Sequence, residues 1–294
     1  MNYSLPDGSF MLHGLEFGRA DSSIVVLTNG LDVGEWGVRS QDAPSPLGDS
    51  TLMGRDFLSP PSWAFTMLVR DDENVYSTLG SLAKVWRGDS VRATPGAVSA
   101  LAYARAGETR VVFGRPRKFA VEPQKVHNNR YRVVTAEFVL SDPLSYSGTE
   151  DSLVLNLITT STTGGLVLPD VLPWALQLST TERHGIVSIN SILSVPFKVH
   201  IRGPIAGQAT DFTLSGSDWS MKFNTTLSAN GNILVDTARG TVVRNSAPAG
   251  GILSVDSAAT ARLSPGTQEL VFTADDPSAS SYATVTWRTA SPVY

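Results

Sequence analysis

Alternating apolar and polar positions recur along this chain and predict short β-strands. The clearest alternation covers residues 131–140, where Val134, Ala136, Phe138 and Leu140 fall on one face. The turn 141–143 follows, and because Asp favours turns and Pro cannot donate to a ladder, the strand ends there. The polar stretch 147–152 comes next. We therefore expect a strong strand that closes one domain, followed by a linker.

One stretch in the first half has helical rather than strand spacing. Between residues 73 and 87, apolar side chains recur at intervals of three and four, which indicates an amphipathic helix. Asp71 and Asp72 are the expected N-terminal caps, and Gly88 is placed just past the C-terminus, where glycine favours a helix end. The apolar positions are Val75, Leu79, Leu82, Ala83 and Trp86.

Residues 34–61 have little periodicity and are rich in Gly, Pro, Ser and Asp. An irregular segment of this length inside a compact domain is usually functional or becomes ordered against a partner. A half-buried strand follows, because Trp63, Phe65, Met67 and Val69 alternate with less apolar residues.

The second half is predicted to contain strands only. Short alternating segments recur there with turns every 8 to 12 residues, which is typical of a β-sandwich of jelly-roll type. Residues 237–240 are expected to form a hairpin loop. We therefore expect a mainly β protein with an N-terminal β-rich domain containing one helix (1–150) and a C-terminal β-sandwich domain (151–294).

Composition narrows the possible functions. The chain has no cysteine, which excludes disulfides, thiolate nucleophiles and thiolate metal sites, and is compatible with synthesis in a reducing cytosol. No apolar run approaches the ~20 residues of a membrane-spanning helix, so membrane insertion is not expected.

The net charge of −4 is unevenly distributed. Eight cations lie between residues 105 and 132, opposed only by Glu108 and Glu122. They are either solvated positions on strands and a loop or a surface that meets a polyanion or an acidic partner. The aromatic residues of this segment do not alternate with the cations in the way that a single-strand nucleic-acid stacking platform requires. The eight are Arg105, Arg110, Arg115, Arg117, Lys118, Lys125, Arg130 and Arg132.

No catalytic constellation is visible. The Gly-x-Ser-x-Gly nucleophile motif is absent, and the four histidines are scattered without metal-ligand spacing. The carboxylate clusters at 71–73, 150–151 and 275–276 fit a helix cap, a linker and a turn. A glycosidase that uses two carboxylates distant in sequence is left as an alternative. We expect no catalysis and no metal or cofactor.

Several segments, taken in order, resemble one known family. The segment 136–146, AEFVLSDPLSY, resembles the strand and Asp-Pro turn that close the N-terminal domain of the distal tail proteins (Dit) of long-tailed, siphovirus-type bacteriophages. Ser191-Ile192 departs from the turn common in that family. Further similar segments are 54–56, 63–67, 86–89, 187–190, 196, 201–204, 231–237, 240–242, 263–266, 270–272 and 283–288.

The resemblance implies an N-terminal belt domain and a C-terminal galectin-like sandwich in a structural virion protein. It implies a hexameric ring at the distal tail that joins the tail tube to the baseplate or tail-tip proteins. Tape-measure protein would be a further partner, and DNA would pass through the ring without sequence-specific binding. Such a protein is made in the host cytoplasm. Residues 34–61 would be an inter-subunit arm, and the basic segment a channel lining or a contact with an acidic neighbour.

An alternative function stays open on the sequence. The galectin-like resemblance also fits a cell-wall carbohydrate-binding module, or a cell-wall hydrolase, at the tail tip. Trp174 and Trp219 are the candidate sugar contacts. In a sandwich, however, tryptophan is more often a core residue, because large aromatic side chains supply much of the apolar surface of a core.

Overall fold

The computed structural model describes residues 2–35, 37–46, 48–71, 74–123, 130–157, 185–276 and 278–293. The chain divides into two compact units. Unit 1 comprises Met1–Thr149 together with Ala290–Tyr294, and unit 2 comprises Glu150–Thr289.

Unit 1 contains the helical residues and a set of antiparallel strands. Its helices are α1 (Val75–Arg87) and the single turn α2 (Asp89–Arg92). Its first twelve strands are β1 (Phe10–Leu12), β2 (Leu15–Phe17), β3 (Ile24–Asp32), β4 (Gly37–Arg39), β5 (Ala43–Pro44), β6 (Thr51–Leu52), β7 (Phe57–Ser59), β8 (Ser62–Arg70), β9 (Ser99–Arg105), β10 (Glu108–Val121), β11 (Tyr131–Leu140) and β12 (Leu144–Ser147).

The main sheet of unit 1 has the strand order β2-β1-β9-β10-β11-β8-β3, and β12 pairs with β10 off this path. The alternation predicted for 131–140 is confirmed, since Val134, Ala136 and Phe138 are buried. Their register partners on β8 are Met67, Phe65 and Trp63, in that order. Helix α1 packs against β8, β10 and β11 and adds Val75, Leu82 and Trp86 to the same core.

Helix α1 begins and ends for local reasons. Its N-cap is Asn74, whose side chain accepts a hydrogen bond from Tyr76 N, so the expected capping by Asp71 is wrong in detail. The Asp71 carboxylate, three residues before the N-cap, instead accepts hydrogen bonds from Asn74 N at 3.1 Å and from Thr78 Oγ1 at 2.8 Å. Gly88 ends the helix in the left-handed conformation with φ 60°, as its position predicted.

In its described residues, unit 2 contains strands and one short 3₁₀ turn, Gly250–Ile252. The strands are β13 (Asp151–Asn156), β14 (Gly185–Ile189), β15 (Phe197–Arg202), β16 (Gln208–Ser215), β17 (Ser220–Phe223), β18 (Leu227–Ser228), β19 (Asn232–Asp236), β20 (Thr241–Arg244), β21 (Ala247–Pro248), β22 (Gly266–Asp275) and β23 (Tyr282–Trp287).

These strands form two antiparallel sheets. One has the order β13-β23-β15-β19-β20-β21, and the other β14-β22-β16-β17 with β18 paired to β16. Asp236 pairs with Thr241, which confirms the predicted hairpin loop at 237–240. Fully buried side chains such as Val199 and Phe272 come from both sheets. The prediction of a mainly β protein is confirmed.

The last strand returns to unit 1. Strand β24 (Ala290–Pro292) pairs antiparallel with β12, so it completes the nine-stranded sheet of unit 1. Ser145, which is buried in β12, donates a hydrogen bond from its Oγ to Ser291 O at 3.2 Å. The structure thus differs from the expected division at 150/151, because residues 290–294 rejoin the first unit through strand pairing.

Candidate functional site

Residues 37–59 form a two-stranded arm rather than an irregular loop. Strand β4 pairs with β7, and β5 pairs with β6, so the segment runs out and back as a narrow hairpin. Ser45 N donates to Ser50 O at 2.9 Å near its tip. Two-stranded ribbons of this kind are marginally stable alone. An arm of this shape therefore gains most of its stability from whatever it packs against.

Glycines fix the backbone at two points of the arm. Gly34 has φ +65° beside its base, and a Cβ atom there would lie 2.7 Å from Ser62 O. Gly54 passes so close to Gln41 that a Cβ atom would lie 2.1 Å from Gln41 O. Gly54 N also donates to Asp42 Oδ1 at 2.9 Å. Only glycine allows these close approaches, so the path of the arm is specified by sequence.

The arm carries large apolar side chains that unit 1 leaves uncovered. Met53 is 81% exposed, and Val38, Leu52 and Leu58 are each more than half exposed. Arg39 and Arg55 lie over the Phe57 ring, with guanidinium carbons 5.2 and 5.0 Å from its centroid. An exposed apolar row rimmed by cations is typical of a protein-interaction surface.

The eight predicted basic positions do not form one surface. Three of them make internal contacts of unit 1. Arg110 pairs with Glu108 at 2.9 Å and donates to Ser145 and Ser291, so it joins β10 to β12 and β24. Arg115 donates to Ala97 O at 2.6 Å and Thr94 O at 2.8 Å, which holds the segment after α2.

Arg132 requires a correction, because it is buried rather than on a surface. It lies on the same face of β11 as Val134, so strand alternation turns it toward the core. Its guanidinium lies 5.0 Å from the centre of the Tyr76 ring and donates to the Tyr76 hydroxyl at 2.5 Å. The residue therefore fastens helix α1 to β11.

Exposed cations remain at three places. Arg117 and Lys118 together face the single residue Glu137, because the register between β10 and β11 shifts between Pro116 and Phe119. This β-bulge leaves both cations exposed. Arg105 is exposed near the β9–β10 turn, about 30 Å from the bulge at the usual rise per residue. Arg130 is exposed next to β11, and Lys125 lies outside the described residues.

The two candidate sugar contacts have different outcomes. Trp219 is only 9% exposed, and its ring lies 5.0 Å from that of Phe197 in the interior of unit 2. A Cβ atom on Gly216 would lie 2.7 Å from the Trp219 indole, so the surrounding chain encloses the ring. The expectation of a sugar contact at Trp219 is wrong, because stacking needs an exposed face. Trp174 lies outside the described residues.

The described part of the chain contains no group of three or more His, Cys, Asp or Glu residues placed to hold a metal ion. Among the titratable groups of the described residues, two have a clearly shifted pKa. Burial, reinforced by the charge of Arg202, lowers the pKa of His200. Burial alone would raise the pKa of Asp276, but hydrogen bonds from Ser278 and Ser281 outweigh it and lower the pKa to about 2.

Among the described helices none is long and apolar enough to cross a membrane.

The architecture comprises two antiparallel β units, a helix packed on the main sheet of the first unit, and a two-stranded arm. In fold it is similar to solved hub and baseplate proteins of phages. The chain is similar to the SPP1 Dit (gp 19.1) protein, which is described as a paradigm of the hub adsorption apparatus in phages that infect Gram-positive bacteria. The TM-score is 0.58 at 12% identity, over 96% of this chain and 98% of that one.

A second similar chain belongs to the phage P2 baseplate in its activated conformation with Ca. Here the TM-score is 0.57 at 10% identity, and the match covers 96% of this chain and 97% of that one. No family model and no curated protein matches the sequence. The expected resemblance to distal tail proteins is thus confirmed by structure, and at these identities it is a likeness of fold.

Proposed function

We propose that this protein is a structural hub of a phage tail tip that assembles with copies of itself into a ring, six copies to the ring. The observation that carries the proposal is the match over nearly the full length of both this chain and the SPP1 Dit hub protein. Because one fold can serve several functions, the proposal relies on analogy with a protein that matches across both units and not in a single domain.

The arm supports self-assembly through unit 1. Its four exposed apolar side chains have no cover within their own unit. Burying the exposed part of each contributes on the order of 1 kcal/mol, so one arm supplies roughly 4 kcal/mol per contact. In a closed ring every arm is buried on a neighbouring copy and no end is left free, so modest contacts add up.

The proposed ring joins the tail tube to the baseplate or tail-tip proteins, contacts the tape-measure protein and surrounds the path of the DNA. Arg117 and Lys118 on the bulge, and Arg105 elsewhere on unit 1, are the exposed cations that we assign to lining that path or to meeting an acidic neighbour. Because they lie at separate places, we assign them separate contacts. The role is structural, without catalysis, at the distal tail of the virion.

The experiment is native mass spectrometry with negative-stain microscopy on the purified chain. We expect closed rings of six copies. Changing Met53→Asp and Leu58→Asp together should release monomers, because charge replaces the apolar row. The matched control is Val255→Asp with Ile205→Asp, two highly exposed apolar positions of unit 2, which should leave the ring intact.

The possible outcomes separate the two parts of the proposal. A wild-type chain that stays monomeric at high concentration, and that labelled antibodies do not find on tails, contradicts the hub assignment. Rings that persist in the arm variant contradict only the role of the arm.

A further inference from the structure

The outer face of the six-stranded sheet in unit 2 carries a column of three basic side chains, Lys198, His200 and Arg202. Strand β15 lies in the middle of that sheet, between β23 and β19. Its residues Phe197, Val199 and Ile201 are buried, and the alternating residues Lys198, His200 and Arg202 face outward. Positions two apart on a strand are about 6.6 Å apart, so the column spans about 13 Å.

Within the described residues, none of these three side chains makes a hydrogen bond or an ion pair of 4 Å or less. The acid in register with Lys198 is Asp236, and that carboxylate is already used. It accepts from Ala238 N at 3.1 Å and lies 4.0 Å from Arg239. Because no protein acceptor in the described residues occupies them, the ammonium and guanidinium donors of this column on a central strand are available to a ligand.

The neighbouring strands leave the column open. Thr284 and Tyr282 lie beside His200 and Arg202 on β23, and Asn232 lies beside Arg202 on β19. Leu234 is the one aliphatic residue among the six outward positions in register with the column. The face is therefore rich in hydrogen-bonding side chains and poor in apolar anchors.

Charge alternates along the column. Lys198 and Arg202 are cationic, whereas burial and the nearby charge of Arg202 lower the pKa of His200, which keeps its imidazole neutral at pH 7. A neutral imidazole both donates and accepts hydrogen bonds, as hydroxyl groups do. The order cation, neutral hydrogen-bonding group, cation complements a chain in which anions are separated by hydroxyl-bearing units.

We propose that this face binds a polymer of polyol or sugar units joined by phosphodiesters, with phosphates at Lys198 and Arg202 and a hydroxyl group at His200. Lysine and arginine together suit phosphate, as a point charge and a planar fork. An acidic protein partner fits less well, since protein interfaces centre on buried aromatic and aliphatic anchors. Single-stranded nucleic acid needs a row of stacking rings, and the column has only Tyr282 beside it. The proposal goes beyond the hub role and does not depend on ring formation.

The test measures binding of the full chain to poly(glycerol phosphate) by calorimetry. Changing Lys198→Gln together with Arg202→Gln should weaken binding at least roughly tenfold, because each hydrogen bond to a charged group is worth about one power of ten. The matched control is Lys222→Gln with Arg262→Gln, which removes the same charge elsewhere on unit 2 and should leave the affinity unchanged. Binding should also fall as salt rises.

Three further probes commit the proposal to its ligand. Dextran, which is neutral, should not bind, and alginate and a thymidine oligonucleotide should bind more weakly than the polyol phosphate. Hydrogen exchange on the wild-type chain should show protection at residues 197–202 when the polymer is added, and this readout needs no variant to fold. The proposal is overturned by no binding, by equal loss in the control, by protection elsewhere, or by tighter binding of alginate or the oligonucleotide.

Discussion

Replacing Asp276 should make unit 2 less stable at neutral pH. The carboxylate is buried and accepts five hydrogen bonds from the loop that follows it: from Ser278 N and Oγ at 2.8 and 2.7 Å, Ser280 N at 3.1 Å, and Ser281 N and Oγ at 2.9 and 2.7 Å. These donors can be satisfied together only by an ionised carboxylate with both oxygens facing them. Asp276 thus organises the turn between β22 and β23.

The magnitude follows from the pKa. Burial alone would raise the pKa of Asp276, but the hydrogen bonds lower it from 3.8 to about 2. A shift of almost two units corresponds to about 2 kcal/mol of the free energy of unfolding. Since the folded pKa is depressed, this contribution is fully present above pH 5 and is lost as the pH falls through 4 toward 2. Asp276→Asn should remove it at pH 7 and flatten the pH dependence of stability in that window.

The assay is hydrogen exchange of peptides from β22 and β23, measured across pH at fixed denaturant, which reports on unit 2 alone. Asp256→Asn, at an exposed carboxylate of the same unit, is the matched control and should change stability by less than about 0.5 kcal/mol. A variant at Asp276 as stable as the control at pH 7, or one whose stability still falls as steeply below pH 4, would refute this account of the turn.

Two further substitutions test unit 1. Phe138→Asp should unfold unit 1 and prevent assembly of the six-copy ring, because a charge would replace a fully buried phenyl group at a cost of at least about 4 kcal/mol, whereas Phe138→Leu should keep the fold. Circular dichroism and limited proteolysis distinguish the two variants. Assembled rings from the Asp variant would contradict the register of β11. Gly88→Ala should lower the free energy of unfolding by about 1 to 2 kcal/mol, because φ is +60° and the new Cβ would lie 3.0 Å from Pro116 Cγ. Gly80→Ala, in the middle of α1 where no atom lies within 4 Å of the new Cβ, should raise it by about 0.5 to 1 kcal/mol. Thermal melts measure both changes.

Patterns that depend on one strand or helix were predictable from sequence. Strands β8 and β11 and helix α1 were predictable because one face of each is buried, so their apolar residues recur with the period of a strand or of a helix. The 37–59 arm has no such pattern, because both of its faces are exposed over most of its length and nothing selects apolar residues on one side. Its composition marked it as unusual, but its hairpin pairing is set by backbone contacts.

The basic segment shows what sequence could not resolve. Whether an arginine faces solvent or a partner depends on elements distant in sequence: Arg110 donates to Ser291 on β24, and Arg132 donates to Tyr76 on α1. The alternation of side chains along β11 did indicate that Arg132 is buried, since Arg132 lies on the same face of the strand as Val134. The bulge at Arg117 and Lys118 exists only as a mismatch between two strands, and the surroundings of the column on β15 depend on which residues β19 and β23 place beside it.

The pairing of β12 with β24 sets an order of events during synthesis. Ser145 and Ser291 are 146 residues apart, and all of unit 2 is made between them. At 5 to 20 residues per second, a ribosome needs roughly 7 to 30 s to cover that distance. For that time the first sheet lacks its final strand while unit 2 emerges and can fold as an inserted module. A chain interrupted before residue 290 therefore carries an unfinished first unit, however complete its second one is.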